Sequence, residues 1–234
     1  MNGQPDPRAG AMSVNSRRRT WNLTLPLSTK VVFVDWDGVL SRMRFWDGYS
    51  APDSSQNDRA IRDAVADLFG NDEVVVDWMT GKLGTSEIVQ QHLVPKPSAT
   101  LVSDMHRHVV EQYASGRVDD RWLLGALRRI RSTHQLVLAT DNMDCFTDGV
   151  QGRRDLARLF DDYISSSDVG VLKADAPDEF FGRWMEQRNV EPADSTLIDD
   201  SKGNCAAFET LGGRAILFGS MDSRVELIDL AWPA

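Results

Sequence analysis

Asp35 and Asp37 lie two apart at the end of VVFVDWDGVLS, residues 31–41, with only Trp36 between them. An apolar, β-branched run ahead of them reads as a buried strand, and the carboxyl end of such a strand is where open α/β sheets collect ligands. The same D-x-D-G string suits a tight turn in which Gly38 supplies unusual dihedrals, and the window alone does not choose between the two. Two more stretches end in polar groups: STLIDD in Asp199 and Asp200, and HQLVLAT in Thr140. Aspartate is a common turn residue, so each ending taken singly could be coincidence. If the three strands lie side by side, however, four carboxylates meet in one crevice. Such a cluster requires a cation or large pKa shifts. Oxygen ligands without Cys or His among them point to Mg2+.

The elements that must position these groups follow from the hydrophobic pattern. After the first strand, residues 41–56 are polar and punctuated by Gly and Pro, and the pattern then turns helical over about 57–69, 72–80, 85–93 and 98–115. Ile61, Val65, Leu68 and Phe69 recur at helical spacing in the first of these, as do Leu101, Met105, Val109 and Tyr113 in the last. Thr85 in TSEIV is placed to cap a helix. This block lacks a strand pattern and reads as an inserted helical unit. From about 119 helix and strand alternate, the signature of a parallel sheet with crossover helices. DDRWLLGALRRIRST, FTDGVQGRRDLARLF, PDEFFGRWMEQRN and GNCAAFETLG read as helices, the last closed by Gly212-Gly213. HQLVLAT, DDYISS, STLIDD and GRAILF read as strands, before a terminal helix near 222–231.

A chain of 234 residues can bury one sizeable core, or a core plus a smaller satellite domain. With 41% hydrophobic and 26% charged residues it resembles neither a disordered chain nor a membrane protein. No window approaches the roughly 18 uninterrupted apolar residues of a spanning helix. The net charge of −9 is unevenly spread, because residues 1–30 carry Arg8, Arg17, Arg18, Arg19 and Lys30 against Asp6 alone. A globular part that acidic argues against nucleic-acid backbone binding and poses a problem for an anionic substrate, which a bound divalent cation would be one way to solve. Residues 1–25 read as a flexible extension, with Met12 an alternative start. Its SRRR run is no twin-arginine signal, since no long apolar region follows. Cys145 and Cys205 lack C-x-x-C spacing and fit reduced thiols of a cytoplasmic protein. His106 and His108 fall on different faces of a helix.

Four ordered motifs give these residues a shared context: VVFVDWDGVL, LVLATDN, DVGVLKADAPDEFF and TLIDDSKGNCAAFETLGGRAI. In this set the chain resembles the haloacid dehalogenase (HAD) superfamily of phosphatases and phosphotransferases, in the subgroup with a helical cap inserted after the first motif (subfamily I, the phosphoglycolate phosphatase and β-phosphoglucomutase branch). The resemblance implies an α/β fold with a Rossmann-like three-layer core and central parallel sheet. It places that core in 26–43 and 118–234 and the cap in 44–117. It implies Asp35 as the nucleophile and Asp37 as the acid and later base. Thr140, Asp141 and Lys173 would bind phosphate. Mg2+ would be held by Asp35, Asp37 through its backbone carbonyl, Asp199 and Asp200. Trp36 should face away from the phosphate, since alternate strand residues point to opposite faces. Asp141 departs from the usual Ser-Asn or Thr-Asn and adds a carboxylate near the phosphate.

In a cap that closes over the site, Arg42, Arg44, Trp46 and Lys82 are candidates for reading the substrate. The bland alternative for each is a solvated or snorkelling side chain. The implied activity is Mg2+-dependent hydrolysis of a small phosphorylated metabolite through an aspartyl-phosphate, by a monomer or homodimer with neither nucleic-acid nor membrane partners. A sugar-phosphate mutase is the near alternative. A 2-haloacid dehalogenase is further off, because it needs no leaving-group acid. A non-catalytic binding protein is the third class, since a fold alone does not establish activity.

Overall fold

In the computed structural model, which describes residues 30–42, 45–46, 56–93, 97–115, 118, 120–220 and 222–232, one parallel sheet has the strand order β3-β2-β1-β4-β5. Its strands are β1 (Val31–Val34), β2 (Gln135–Thr140), β3 (Asp162–Ser165), β4 (Ser195–Asp199) and β5 (Arg214–Leu217). Val34 of β1 pairs with Leu138 of β2 on one side and Ile198 of β4 on the other. The two neighbours therefore end level with Asp35, and that register gathers Asp35, Thr140 and Asp199. The extension at 1–25 and Arg44 lie outside the described residues.

The central strands carry unbroken apolar runs, Val31–Val34 in β1 and residues 136–139 in β2, because both sheet faces are covered there. Val31 and Phe33 point to one face and Val32 and Val34 to the other. Among the described residues after β1 lie the helices α1 (Gln56–Phe69), α2 (Asp72–Met79), α3 (Thr85–Ile88), which runs on as a π-turn over Val89–Leu93, and α4 (Ala99–Ser115). Then follow α5 (Arg121–Ile130), α6 (Asp144–Val150), α7 (Arg154–Leu159), α8 (Ser166–Val169), α9 (Arg183–Glu186), α10 (Lys202–Thr210) and α11 (Ser223–Ala231). α5, α6, α7 and α11 cover the Val32 face, with Leu127, Phe146, Leu156 and Leu227 among the buried residues. The Phe33 face is covered by α9, the π-turn Asp178–Gly182 before it, and α10. There Phe33 meets Phe181, Trp184 and Phe208 edge to face at 5.2 to 5.7 Å. This is the three-layer α/β core implied by the family resemblance, built on the parallel sheet expected from the alternation of helix and strand.

The inserted helices do not pack separately from this core. Trp46, Trp78, Met105, Val109 and Tyr113 belong to the same buried cluster as Phe146 and the Val32 face. α4 crosses α6 at Gly149, where a Cβ would stand 2.4 Å from Tyr113 Cβ and 2.8 Å from the Val110 carbonyl oxygen. Only glycine permits that approach. Among the described residues no helix is long and apolar enough to cross a membrane.

Two local expectations are corrected. FTDGVQGRRDLARLF is two helices, broken between Val150 and Arg154. At the break the guanidinium of Arg153 turns inward, donating from Nη1 to the Tyr113 carbonyl at 2.9 Å and forking onto Asp155 at 3.1 and 2.6 Å. Thr85 is the first residue of α3 rather than its cap; Gly84 caps the helix, its N–H held by Glu87 Oε2 at 2.8 Å. The Thr85 N–H goes instead to Asp144, across the boundary between insert and core.

Candidate active site

Beyond β1 the backbone must turn at once, and Gly38 makes this possible with φ +78°. A Cβ there would fall 2.0 Å from Asp200 Oδ2, so the bare backbone lets the loop after β1 press against the loop after β4. Lys173 arrives from the segment after α8 and is fully buried. Its ammonium donates to Asp199 Oδ2 at 2.6 Å and stands 3.0 Å from Asp35 Oδ1, with the Ala139 carbonyl at 3.4 Å. Asp35 Oδ1 also takes the Trp36 N–H at 2.7 Å. No other described residue reaches Oδ2 with a hydrogen bond.

Asp199 is fully buried and accepts from the Ser201 N–H at 2.8 Å and from Asn204 Nδ2 at 3.2 Å. Ser201 caps α10, so that helix start fixes the carboxylate. Asp141 directs Oδ1 to the Lys173 N–H at 2.9 Å. It therefore orients the lysine loop, and the extra carboxylate has an occupation within the protein. Asp37 Oδ2 accepts from Asn142 Nδ2 at 2.8 Å. Thr140 is fully buried, its Oγ1 3.4 Å from the same amide.

Burial pushes the Asp35 carboxyl up, with Lys173 opposing and Asp199 and Asp37 adding to the rise. It raises Asp37 to about 6, against the Asn142 hydrogen bond and Lys173. Burial also raises Asp141, and raises Asp200 with Asp199 adding. For Lys173 burial acts downward, but Asp35, Asp141 and Asp199 outweigh it and hold the ammonium above its ordinary value. Five carboxylates thus share one buried lysine. One oxygen each from Asp35, Asp199 and Asp200 lies within 4.8 Å of the others, an all-oxygen set suited to a hard divalent cation. The Asp37 side chain stands outside that set, on Asn142.

The substrate-reading candidates are placed differently. Trp46, at φ 54° and 1% exposed, stacks on Trp78 at 5.7 Å and donates from Nε1 to the Met105 carbonyl at 3.0 Å. That makes it a packing residue of the insert rather than a substrate contact. Lys82, 64% exposed, pairs with Asp77 at 2.8 Å, as a solvated surface lysine would. Arg42 is exposed just beyond the first motif. Trp36 packs with Val32 and Val34 in the buried cluster, against Phe146 at 5.5 Å and beneath the Arg153 guanidinium at 5.4 Å. Spacing marked Tyr113 as an apolar helix position but gave no notice that its hydroxyl donates to Asn142 Oδ1 at 2.8 Å, nor that Asp144 takes the Trp78 Nε1–H at 3.2 Å. Each has its partner far away in sequence.

No protein-family model matches the chain, and no curated protein sequence does. Solved structures do. A HAD family enzyme of Bacteroides thetaiotaomicron, in complex with magnesium and inorganic phosphate, superposes with a TM-score of 0.61 at 18% identity, covering 84% of this chain and 98% of its own. A predicted HAD-like family hydrolase of Porphyromonas gingivalis gives 0.59 at 17% identity, over 85% and 96%. A 2-haloacid dehalogenase of Pseudomonas syringae pv. Tomato gives 0.55 at 18%, over 80% and 85%. The chain has the haloacid dehalogenase fold.

Proposed function

We propose that the chain is a Mg2+-dependent phosphatase of the haloacid dehalogenase superfamily, hydrolysing a phosphomonoester of a small metabolite through an aspartyl-phosphate. The carrying observation is the buried Asp35 within 3.0 Å of the buried Lys173, beside the Asp199 and Asp200 carboxylates and two residues from Asp37. The magnesium complex of the Bacteroides enzyme supports the choice of metal. Asp35, Asp199 and Asp200 would hold the ion, with the Asp37 carbonyl as a further ligand. The ion would supply positive charge for the phosphoryl oxygens.

Asp35 Oδ2 attacks phosphorus as the bond to the leaving oxygen breaks, and Asp37 gives that oxygen its proton. The hydroxyl of Thr140 and the ammonium of Lys173 hold phosphoryl oxygens. Asp37, now a carboxylate, takes a proton from water as the water oxygen attacks the aspartyl-phosphate. Phosphate leaves and Asp35 is restored. Residues 26–43 and 118–234 form the catalytic core and 44–117 the cap. The buried thiols of Cys145 and Cys205, which form no disulfide, support a cytoplasmic setting. Asp37 argues against dehalogenation, where the leaving halide needs no proton.

The test is hydrolysis of p-nitrophenyl phosphate with Mg2+ and with EDTA. Activity is expected only with the metal and is abolished by Asp35→Asn; activity surviving that substitution refutes the mechanism. Conversion of glucose 1-phosphate to glucose 6-phosphate with little free phosphate would make the protein a mutase. Metal-independent chloride release from a 2-chloro acid would make it a dehalogenase.

A further inference from the structure

Asn142 is fully buried, and its amide is fixed at both ends. Its Oδ1 accepts from the Met143 N–H at 3.1 Å and from the Tyr113 hydroxyl at 2.8 Å. A backbone N–H can only donate, so the oxygen must face Met143 and Nδ2 must face Asp37. Nδ2 donates to Asp37 Oδ2 at 2.8 Å. An oxygen receiving an amide proton at that distance cannot itself carry the acidic proton in the same direction. The carbonyl-type oxygen of a carboxylic acid is its better acceptor, so this bond favours Oδ2 as the acceptor and Oδ1 as the oxygen that carries the proton of Asp37.

Tyr113 lies on α4, in the inserted helices, and is fully buried. Its ring packs edge to face on Phe146 at 5.1 Å, and Arg153 holds its carbonyl at 2.9 Å. The hydroxyl thus approaches Asn142 from a fixed direction. If Tyr113 merely filled the core, phenylalanine would serve, without a buried hydroxyl that needs a partner.

We infer that Tyr113 and Asn142 are positioning residues that select Oδ1 of Asp37 as the oxygen delivering the proton, so that the helical insert takes part in protonating the leaving group. This rests on the assignment of Asp37 as the acid. It predicts a defect that grows with the leaving group's need for a proton.

The experiment compares kcat/KM, which reports the phosphorylation of Asp35 rather than hydrolysis of the common aspartyl-phosphate, for p-nitrophenyl phosphate and phenyl phosphate in wild type, Tyr113→Phe, Asn142→Ala and Asp37→Asn. The two substrates have similar shape, but phenolate is a much poorer leaving group than p-nitrophenolate. Complete loss of a general acid slows a reaction by ~10²–10⁴. Asp37→Asn should therefore lower the phenyl to p-nitrophenyl kcat/KM ratio most, and Tyr113→Phe should lower it about tenfold. An unchanged ratio in Tyr113→Phe, whether or not both rates fall together, overturns the inference, because a packing defect slows both substrates alike. Asn142→Ala is read in the same way if Tyr113→Phe does not fold. Should Asp37→Asn itself leave the ratio unchanged, or wild type hydrolyse neither ester, the acid assignment or the phosphatase proposal fails and the inference with it.

Discussion

Lys173 is a fully buried ammonium held between Asp35 and Asp199. Removing one partner of a buried ion pair leaves an uncompensated charge, so Lys173→Met should destabilise the fold by about 3–5 kcal/mol, read from urea denaturation without metal. A loss under about 1 kcal/mol would mean the carboxylates are already neutral. At Gly38 the positive φ and the nearness of Asp200 act together. Gly38→Ala should cost about 1–3 kcal/mol in backbone strain and displace Asp200, weakening Mg2+ affinity in a titration followed by thermal shift. The acidic residues were legible because each ends a strand whose apolar run is recognisable. Tyr113 was legible only as an apolar position in a helical series. Periodicity registers the ring and not the hydroxyl, and Asn142 lies 29 residues further along.

Between elements, the crossing of α4 on α6 depends on Gly149. Gly149→Val would drive a side chain into Tyr113 and the Val110 carbonyl, and overpacking of that kind costs about 1–3 kcal/mol, seen as a lower urea midpoint. Asp144 at the start of α6 accepts from Trp78 Nε1, the Thr85 N–H and the Thr85 hydroxyl, all in the insert. Asp144→Ala leaves these buried donors short of an acceptor and should expose the Trp78 region to faster amide exchange, while the sheet keeps its protection. Helix and strand identities followed the hydrophobic period closely. The break before α7 did not, because the buried Arg153 between the two helices finds its Tyr113 carbonyl, 40 residues away in sequence, only in the folded chain.

For the molecule as a whole, a cation that binds only the folded state should raise its stability. At a concentration of about 100 times its dissociation constant, Mg2+ should add ~2.7 kcal/mol, seen as a higher Tm that EDTA reverses. Burial pushes the Cys145 thiol up, with Asp144 and Asp148 adding and Thr85 opposing. A folded-state thiol pKa raised above the unfolded one gives stability that is present below the unfolded value and lost as pH rises past it. Iodoacetamide at pH 8 should thus leave Cys145 unlabelled until urea is added. The parallel α/β plan was readable from alternation alone, whereas the shared core of insert and sheet was not, since a pattern of apolar positions does not name their partners.

That shared core bears on how the protein could be re-engineered. The insert leaves from β1, the middle strand, which suggests a detachable module that could be exchanged to obtain new substrates. A foreign module would meet Asp144 with no donors for its carboxylate, Gly149 with no close-packed helix above it and Asn142 with no hydroxyl at its oxygen. A working chimera would have to carry Tyr113, Trp78 and Thr85 across with it, or redesign the loop after β2 and α6 as their counterpart.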